Sequence, residues 1–253
     1  MPGMGEQPAE ARSRRAHAAS FGDAAAAYQR GRPPYPVSVL AWAVPPGARR
    51  ILDLGAGTGK FTRLLADAGL DVVAVEPSAG MREQLAAAVP EAAVLDGTAE
   101  RIPLPDGHVD AVVVAQAWHW ADPGRAVPEV ARVLRPGGTL SLLWNVRDHT
   151  EPWVARLDEV LHRHTRQDVD TAPDLGEPFG PVERAEIRWR HRLGRGELLD
   201  MVASRSYVIV LPEQRRRELL GSVEELLDSH PDLRGRESFD LPYVTRCTRA
   251  RRP

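Results

Sequence analysis

Ile51-Leu52-Asp53-Leu54-Gly55-Ala56-Gly57-Thr58-Gly59-Lys60-Phe61-Thr62 decides the fold of this chain. The run from Arg50 to Leu54 is short and apolar, like a strand buried in a parallel sheet. Gly55, Gly57 and Gly59 then permit a tight turn. With no Cβ in the way, the backbone can approach a ligand closely. A helix is predicted from about Lys60 to Gly69. It starts at the turn, so its unpaired N–H groups should face the same crevice. Spacing separates this loop from two others. A dinucleotide fingerprint needs glycine three residues after Gly57, where this chain has Lys60. A P-loop needs G-x-x-x-x-G-K-[ST], but Phe61 follows Gly59-Lys60 and Leu occupies position 54. Asp53 ends the strand beside the loop. A carboxylate there suits a cationic ligand better than a pyrophosphate.

Further landmarks follow in order. Asp71 to Glu76 reads as a second buried strand ending in a carboxylate, which can accept hydrogen bonds from ribose hydroxyls. A solvated strand-end residue is the plain alternative for Glu76. Pro77-Ser78 opens a helix with Ser78 as its N-cap. Met81 falls in the first turn, either against an adenine or in the core. Ala93 to Asp96 is a short third strand. Gly97-Thr98-Ala99-Glu100 leaves it, and Asp96 or Glu100 could bind the adenine amino group, with the Thr98-Ala99 backbone on the ring edge. Val109 to Ala115 is an apolar, hence central, fourth strand. Gln116-Ala117-Trp118-His119-Trp120 follows it. Ala126 to Leu134 reads as a helix stopped by Arg135-Pro136-Gly137-Gly138, and Thr139 to Asn145 as the fifth strand.

This series resembles the small-molecule branch of the class I S-adenosylmethionine (SAM)-dependent methyltransferases, of the methyltransferase type 11 or trans-aconitate methyltransferase kind. The resemblance spans about residues 20 to 150. It includes Phe21-Gly22-Asp23 to Tyr28 and Arg32-Pro33-Pro34-Tyr35-Pro36, and extends to Leu241 to Cys247 as a last strand. It implies a Rossmann-like, doubly wound α/β fold with seven strands, the last antiparallel. It also implies SAM as cofactor and S-adenosylhomocysteine (SAH) as product. By the same resemblance the cofactor residues are Tyr28, Arg32, Asp53, Gly55, Ala56, Gly57, Thr58, Gly59, Glu76, Pro77, Met81, Gly97, Thr98, Ala99, Glu100 and Gln116. Tyr28 or Arg32 would hold the methionine carboxylate, or either merely pins its segment.

The C-terminal part carries fewer signals. Pro152 to His164 reads as an amphipathic helix and Thr171 to Pro181 as a loop. Val182 to Leu193 alternates like a sixth strand, and Phe239 to Thr248 is the seventh. Helices at Gly196 to Ser204 and Pro212 to Ser229 lie between them, separated by Tyr207 to Leu211. The expected organisation is a disordered segment over 1–18 and one methyltransferase domain over 19–253. Within it, 19–48 caps, 49–146 binds SAM, and 194–235 forms a helical lid.

Acceptor chemistry is expected past the fourth strand. His119 is the candidate base, or the group that orients a carboxylate; a structural histidine between Trp118 and Trp120 is the alternative. Tyr35, Trp118 and Trp144 are candidates for the acceptor pocket, with core packing the alternative for Trp144. His162 and His164 are two apart and so on different helix faces. No metal is expected.

Composition bounds the partners. A net charge of −2 on 253 residues sets up no field for nucleic acid. Lys60 is the only lysine among 33 basic residues, so arginine is the default cation and Arg215-Arg216-Arg217 reads as a solvated helix face. The one cysteine, Cys247, excludes an internal disulfide. No apolar run approaches the roughly 18 residues of a membrane span, and Arg14-Arg15 precedes no export-type apolar stretch. The expectation is a cytoplasmic enzyme that methylates a small molecule, with no nucleic acid or membrane partner. The lean is to O-methylation of a carboxylate or hydroxyl. C- or N-methylation, a non-catalytic SAM-binding protein and methylation of RNA are the alternatives.

Overall fold

The computed structural model describes residues 33–162, 173 and 175–253. The elements run α1 (Val37–Ala43), β1 (Arg50–Leu54), α2 (Lys60–Asp67), β2 (Asp71–Val75), α3 (Ala79–Ala88), β3 (Ala93–Leu95) and β4 (Val109–Ala115). A short 3-10 turn at Trp118–Trp120 leads to α4 (Pro123–Val133), β5 (Leu134–Arg147), α5 (Pro152–His162) and β6 (Val182–Gly194). Then come α6 (Arg195–Ala203), α7 (Ser206–Ile209), α8 (Glu213–Ser229) and β7 (Ser238–Arg251).

The strands form one seven-stranded sheet in the order β3-β2-β1-β4-β5-β7-β6. The first five pair in parallel, and β7 runs antiparallel to both β5 and β6. Near-continuous apolar runs explain the central strands. Ile51 to Leu54 and Val72 to Val75 are buried, as both faces of a parallel sheet must be. One face packs Leu52, Val112, Leu142 and Trp144 against Val127 and Val130 of α4. The other packs Ile51, Ala111 and Val113 against Val39 of α1 and Leu65 of α2. A third cluster joins α5, α6 and α8 to the ends of β6 and β7. The chain leaves β1 and β4 in opposite directions, which opens a crevice at their C-terminal ends.

Two boundaries and one cap differ from expectation for local reasons. Helix α4 begins three residues early because Asp122 caps it. Its Oδ1 accepts from Gly124 N–H (3.0 Å), and Pro123 suits the first turn. Arg135 to Gly138 does more than stop a helix. Pairing jumps from Val109–Leu134 to Ala111–Thr139, so these four residues bulge out of the β4–β5 ladder. Gly137 turns there with φ +78°, and its N–H donates to Arg252 O, which ties the bulge to the end of β7. Ser78 occupies the N-cap of α3, but its hydroxyl makes no capping bond.

The connector from β3 to β4 is clamped by Arg132 of α4. Its guanidinium donates to Leu104 O (2.8 Å), Ile102 O (3.0 Å) and the Glu129 and Asp106 carboxylates (2.8 Å). Arg132→Met should lower stability in urea unfolding by about 1–3 kcal/mol, through unpaired half-buried carbonyls and Glu129. Arg215→Met, which breaks only an exposed pair with Glu218, should change it by less than about 0.5 kcal/mol.

Candidate active site

The crevice is framed by the first loop and by the ends of β4 and β5. Gly55, Gly57 and Gly59 all have positive φ, at +71°, +58° and +89°. A Cβ on Gly55 would stand 2.6 Å from Ala117 Cβ, so the loop and the turn after β4 approach as closely as only glycine permits. Gln116 sits at φ +60°, a strained conformation for a side-chain-bearing residue. It is held there by its N–H on Leu143 O (2.9 Å) and its Nε2 on Asn145 O (3.0 Å).

Most loop amides are engaged within the protein. Gly55 and Ala56 N–H both donate to Val75 O, Gly59 N–H donates to Ala56 O, and Gly57 N–H donates to Glu76 Oε2 (2.9 Å). These are the amides of the loop itself, ahead of the first turn of α2. The loop is no anion cradle of the phosphate-binding kind. Its polar offering is instead a carboxylate. Asp53 is fully buried, and Thr62 Oγ1 donates to its Oδ2 at 2.6 Å. Its Oδ1 has no hydrogen-bond partner among the described residues. Burial raises the Asp53 carboxyl from 3.8 to about 7, and the neighbouring Glu76 adds to the rise while Thr62 opposes it. Burial also raises Glu76, against the Ser78 and Gly57 N–H groups that bond its oxygens.

A polar chain crosses the sheet on the far side of the crevice. Trp189 Nε1 donates to Thr245 Oγ1 (2.9 Å), and that hydroxyl donates to Asn145 Oδ1 (2.6 Å). Asn145 Nδ2 donates to Pro34 O (3.2 Å), which pins the segment ahead of α1 over the strand ends. Tyr243 stacks on Trp189 with centroids 5.0 Å apart, and its OH contacts Met201 Sδ of α6 at 3.2 Å.

The cavity here is lined by Asp53, Gly55, Ala56, Gly57, Thr58 and Gln116 among the expected cofactor residues, and by Tyr35 among the expected acceptor residues. Glu76, Met81 and Gly59 lie behind this lining. Glu76 braces the loop, Met81 is 5 % exposed in the core, and Gly59 packs on Leu85 and Val89. Pro77 starts the step into α3. Gly97 to Glu100 form a tight turn closed by Thr98–Arg101 backbone bonds, and Glu100 Oε1 accepts from Asp122 N–H. Trp118 and Trp144 are 4 % and 2 % exposed in the core against Val112 and Val127, so neither lines the cavity. Strand alternation is the reason for Trp144: it and Asn145 point to opposite faces, and Asn145 takes the cavity side. His119 lies in the 3-10 turn with its ring 4.7 Å from Trp120, outside the lining. Tyr28, Arg32, His164 and the 1–18 segment fall outside the described residues, as do most of the 171–181 loop's early positions.

Sequence reading missed Lys60, Phe61, Arg205 and Tyr243 as lining residues. The first two follow the glycine loop directly and were findable there. Arg205 and Tyr243 carry no local motif and reach the cavity only through the fold. Among the described residues no cluster of three or more metal-type side chains forms, and no helix is long and apolar enough to cross a membrane.

Residues 52–142 match the family model described as "Methyltransferase domain". A methyltransferase of Mycobacterium tuberculosis is 53 % identical over 241 residues, covering 94 % of this chain and 98 % of the relative. The chain belongs to the class I methyltransferases. A type II methyltransferase structure from Anaeromyxobacter dehalogenans aligns over 87 % of this chain and 97 % of its own, with TM-score 0.68 and 26 % identity. A phosphoethanolamine N-methyltransferase of Haemonchus contortus, solved with SAM, shares the fold with TM-score 0.54 at 16 % identity; 93 % of this chain aligns with 60 % of that one.

Thr245→Val should destabilise by about 1–3 kcal/mol in thermal unfolding, because it strands the Trp189 N–H and an Asn145 oxygen. Thr245→Ser should recover most of the loss.

Proposed function

We propose that this methyltransferase uses SAM and transfers its methyl group to an oxygen of a small molecule, a carboxylate or hydroxyl. The observation that carries the cofactor reading is the buried Oδ1 of Asp53 on the cavity lining, without a hydrogen-bond partner among the described residues, beside a loop most of whose amides are already engaged. Such an atom fits a cationic group. The methionine end of SAM supplies one. Glu76 is 6 % exposed and keeps lone pairs beyond its two backbone bonds, which suits ribose hydroxyls. The fold shared with a SAM-bound relative supports the same reading.

SAM supplies an electrophilic methyl on a sulfonium, which moves by direct displacement. The work left to this chain is binding, alignment and exclusion of water. The loop from Gly55 to Gly59 sets the floor, held by Glu76. Asn145 and Gln116 fix the strand ends beside it. The segment through Pro33 to Tyr35 and the α6–α8 insert, within 194–235, are the parts able to cover the acceptor. In this reading 49–146 is the cofactor half, and specificity of the trans-aconitate kind or any other resides in the cover.

Titration calorimetry with SAH, with NAD and ATP as controls, tests the cofactor. Selective SAH binding is the expected result; its absence overturns the reading. Gly57→Val should abolish binding, since a branched residue would be strained at φ +58° and would fill the approach. The Asp53 carboxyl gives a pH signature. Its folded value lies above 3.8, so the protonated form dominates below about 7 and a cation must displace that proton. SAH affinity should therefore rise with pH from 6 to about 7 and level off above. Asp53→Asn should flatten that profile. A wild-type profile that falls with pH would contradict the assignment.

A further inference from the structure

Thr62 sits in the first turn of α2, directly behind the glycine loop. It is fully buried, and so is Asp53 near the end of β1. The Thr62 hydroxyl donates to Asp53 Oδ2 at 2.6 Å. No side chain caps α2 at Gly59, and the Thr62 backbone N–H also supports the ionised Asp53 carboxylate. A strand-end carboxylate thus answers a donor of the first helical turn from across the loop.

The two oxygens of Asp53 have different surroundings. Oδ2 is engaged by Thr62, whereas the buried Oδ1 has no hydrogen-bond partner among the described residues. Asp53 lines the cavity and Thr62 does not. A carboxylate is planar, so a bond that fixes one oxygen also sets the direction of the other. Threonine suits this task, because its β-branched side chain has few rotamers in a helix. The strands on either side offer no substitute: Ala74 of β2 and Val113 of β4 stand opposite Asp53, and neither side chain can donate.

The electrostatics agree with the geometry. Burial drives the Asp53 carboxyl towards its protonated form, and Glu76 at the end of β2 pushes the same way. The Thr62 hydroxyl is the largest influence against them, joined by the Thr62 N–H. Lys60 of α2 and Arg205 of the insert are the other charged residues on the lining.

We propose that Thr62 is a positioning residue for the methyl donor: its hydroxyl turns Asp53 Oδ1 into the cavity, where that oxygen meets the α-ammonium of the methionine end. The inference rests on the SAM reading of the cavity. It adds the residue that keeps Asp53 aimed and charged for a cation.

The test is calorimetry with SAH from pH 5.5 to 8.5, with 5′-methylthioadenosine as control; that compound keeps the adenosine and sulfur but has no ammonium. Thr62→Val nearly preserves shape and removes the donor. The ionised carboxylate then loses support, its value rises further, and a cation displaces the proton only at higher pH. The midpoint of the SAH profile should move up by about one pH unit, the worth of one hydrogen bond to a charged group. SAH affinity at pH 7 should fall by about fivefold. Methylthioadenosine affinity should not change. Thr62→Ser should track the wild type. Thr62→Cys, a weaker donor of similar size, should fall between the two and covers the case in which valine disturbs the core. An unmoved midpoint in Thr62→Val and Thr62→Cys, or equal losses for SAH and methylthioadenosine, overturns the proposal. Failure of the wild type to bind SAH at all instead overturns the cofactor reading, and this inference with it.

Discussion

The Glu76 carboxylate ties the site together. One oxygen takes the Gly57 N–H and the other the Ser78 N–H, each at 2.9 Å. The loop after β1 and the step into α3 are thus fixed to one group at the end of β2. Arg82 reinforces the joint by donating to Glu76 O and to Asp96. A buried carboxylate is costly unless such bonds hold it, so the arrangement works in both directions: the loop keeps Glu76 in place and Glu76 keeps the loop in place. The three positive-φ glycines matter because only they let the loop bend far enough to reach it.

Most of the loop's amides are engaged, and beside it the buried carboxylate of Asp53 faces the crevice. The crevice therefore has a division of labour. Its β1 side holds the single lining carboxylate. Its β5–β7 side holds Asn145 and Tyr243, with Arg205 of the insert, reached from about a hundred positions or more further along the chain. Asn145, Thr245 and Trp189 form a hydrogen-bonded chain across β5, β7 and β6 within the second side. The strained Gln116 sits where the two sides meet, held by two bonds to β5.

Much of the β1–β5 half was legible in the sequence because it is local. Glycines at 55, 57 and 59, a carboxylate before them and apolar runs on either side describe one continuous strand–turn–helix unit, and β4 fell on the expected residues Val109–Ala115. The C-terminal half was legible only as elements. That Trp144 would turn into the core and Asn145 into the cavity depends on a one-residue phase that neighbours in the sheet set, not the residues themselves. Arg205 and Tyr243 reach the cavity through the placement of the insert and of β7. Arg135 to Gly138 was read as the stop that ends α4, but not as a bulge, because its partner Arg252 lies just past the end of β7.

The position of β7 has a consequence for how the protein comes together. It lies between β5 and β6, and among the described residues β6 has no other neighbour in the sheet. Strand β6 is made before β7 yet has nothing to pair with until β7 arrives. A growing chain can thus complete the five parallel strands early, while β6 and the insert that follows wait for the last strand to enter between them. The half that would bind the donor can assemble ahead of the half that would choose the acceptor.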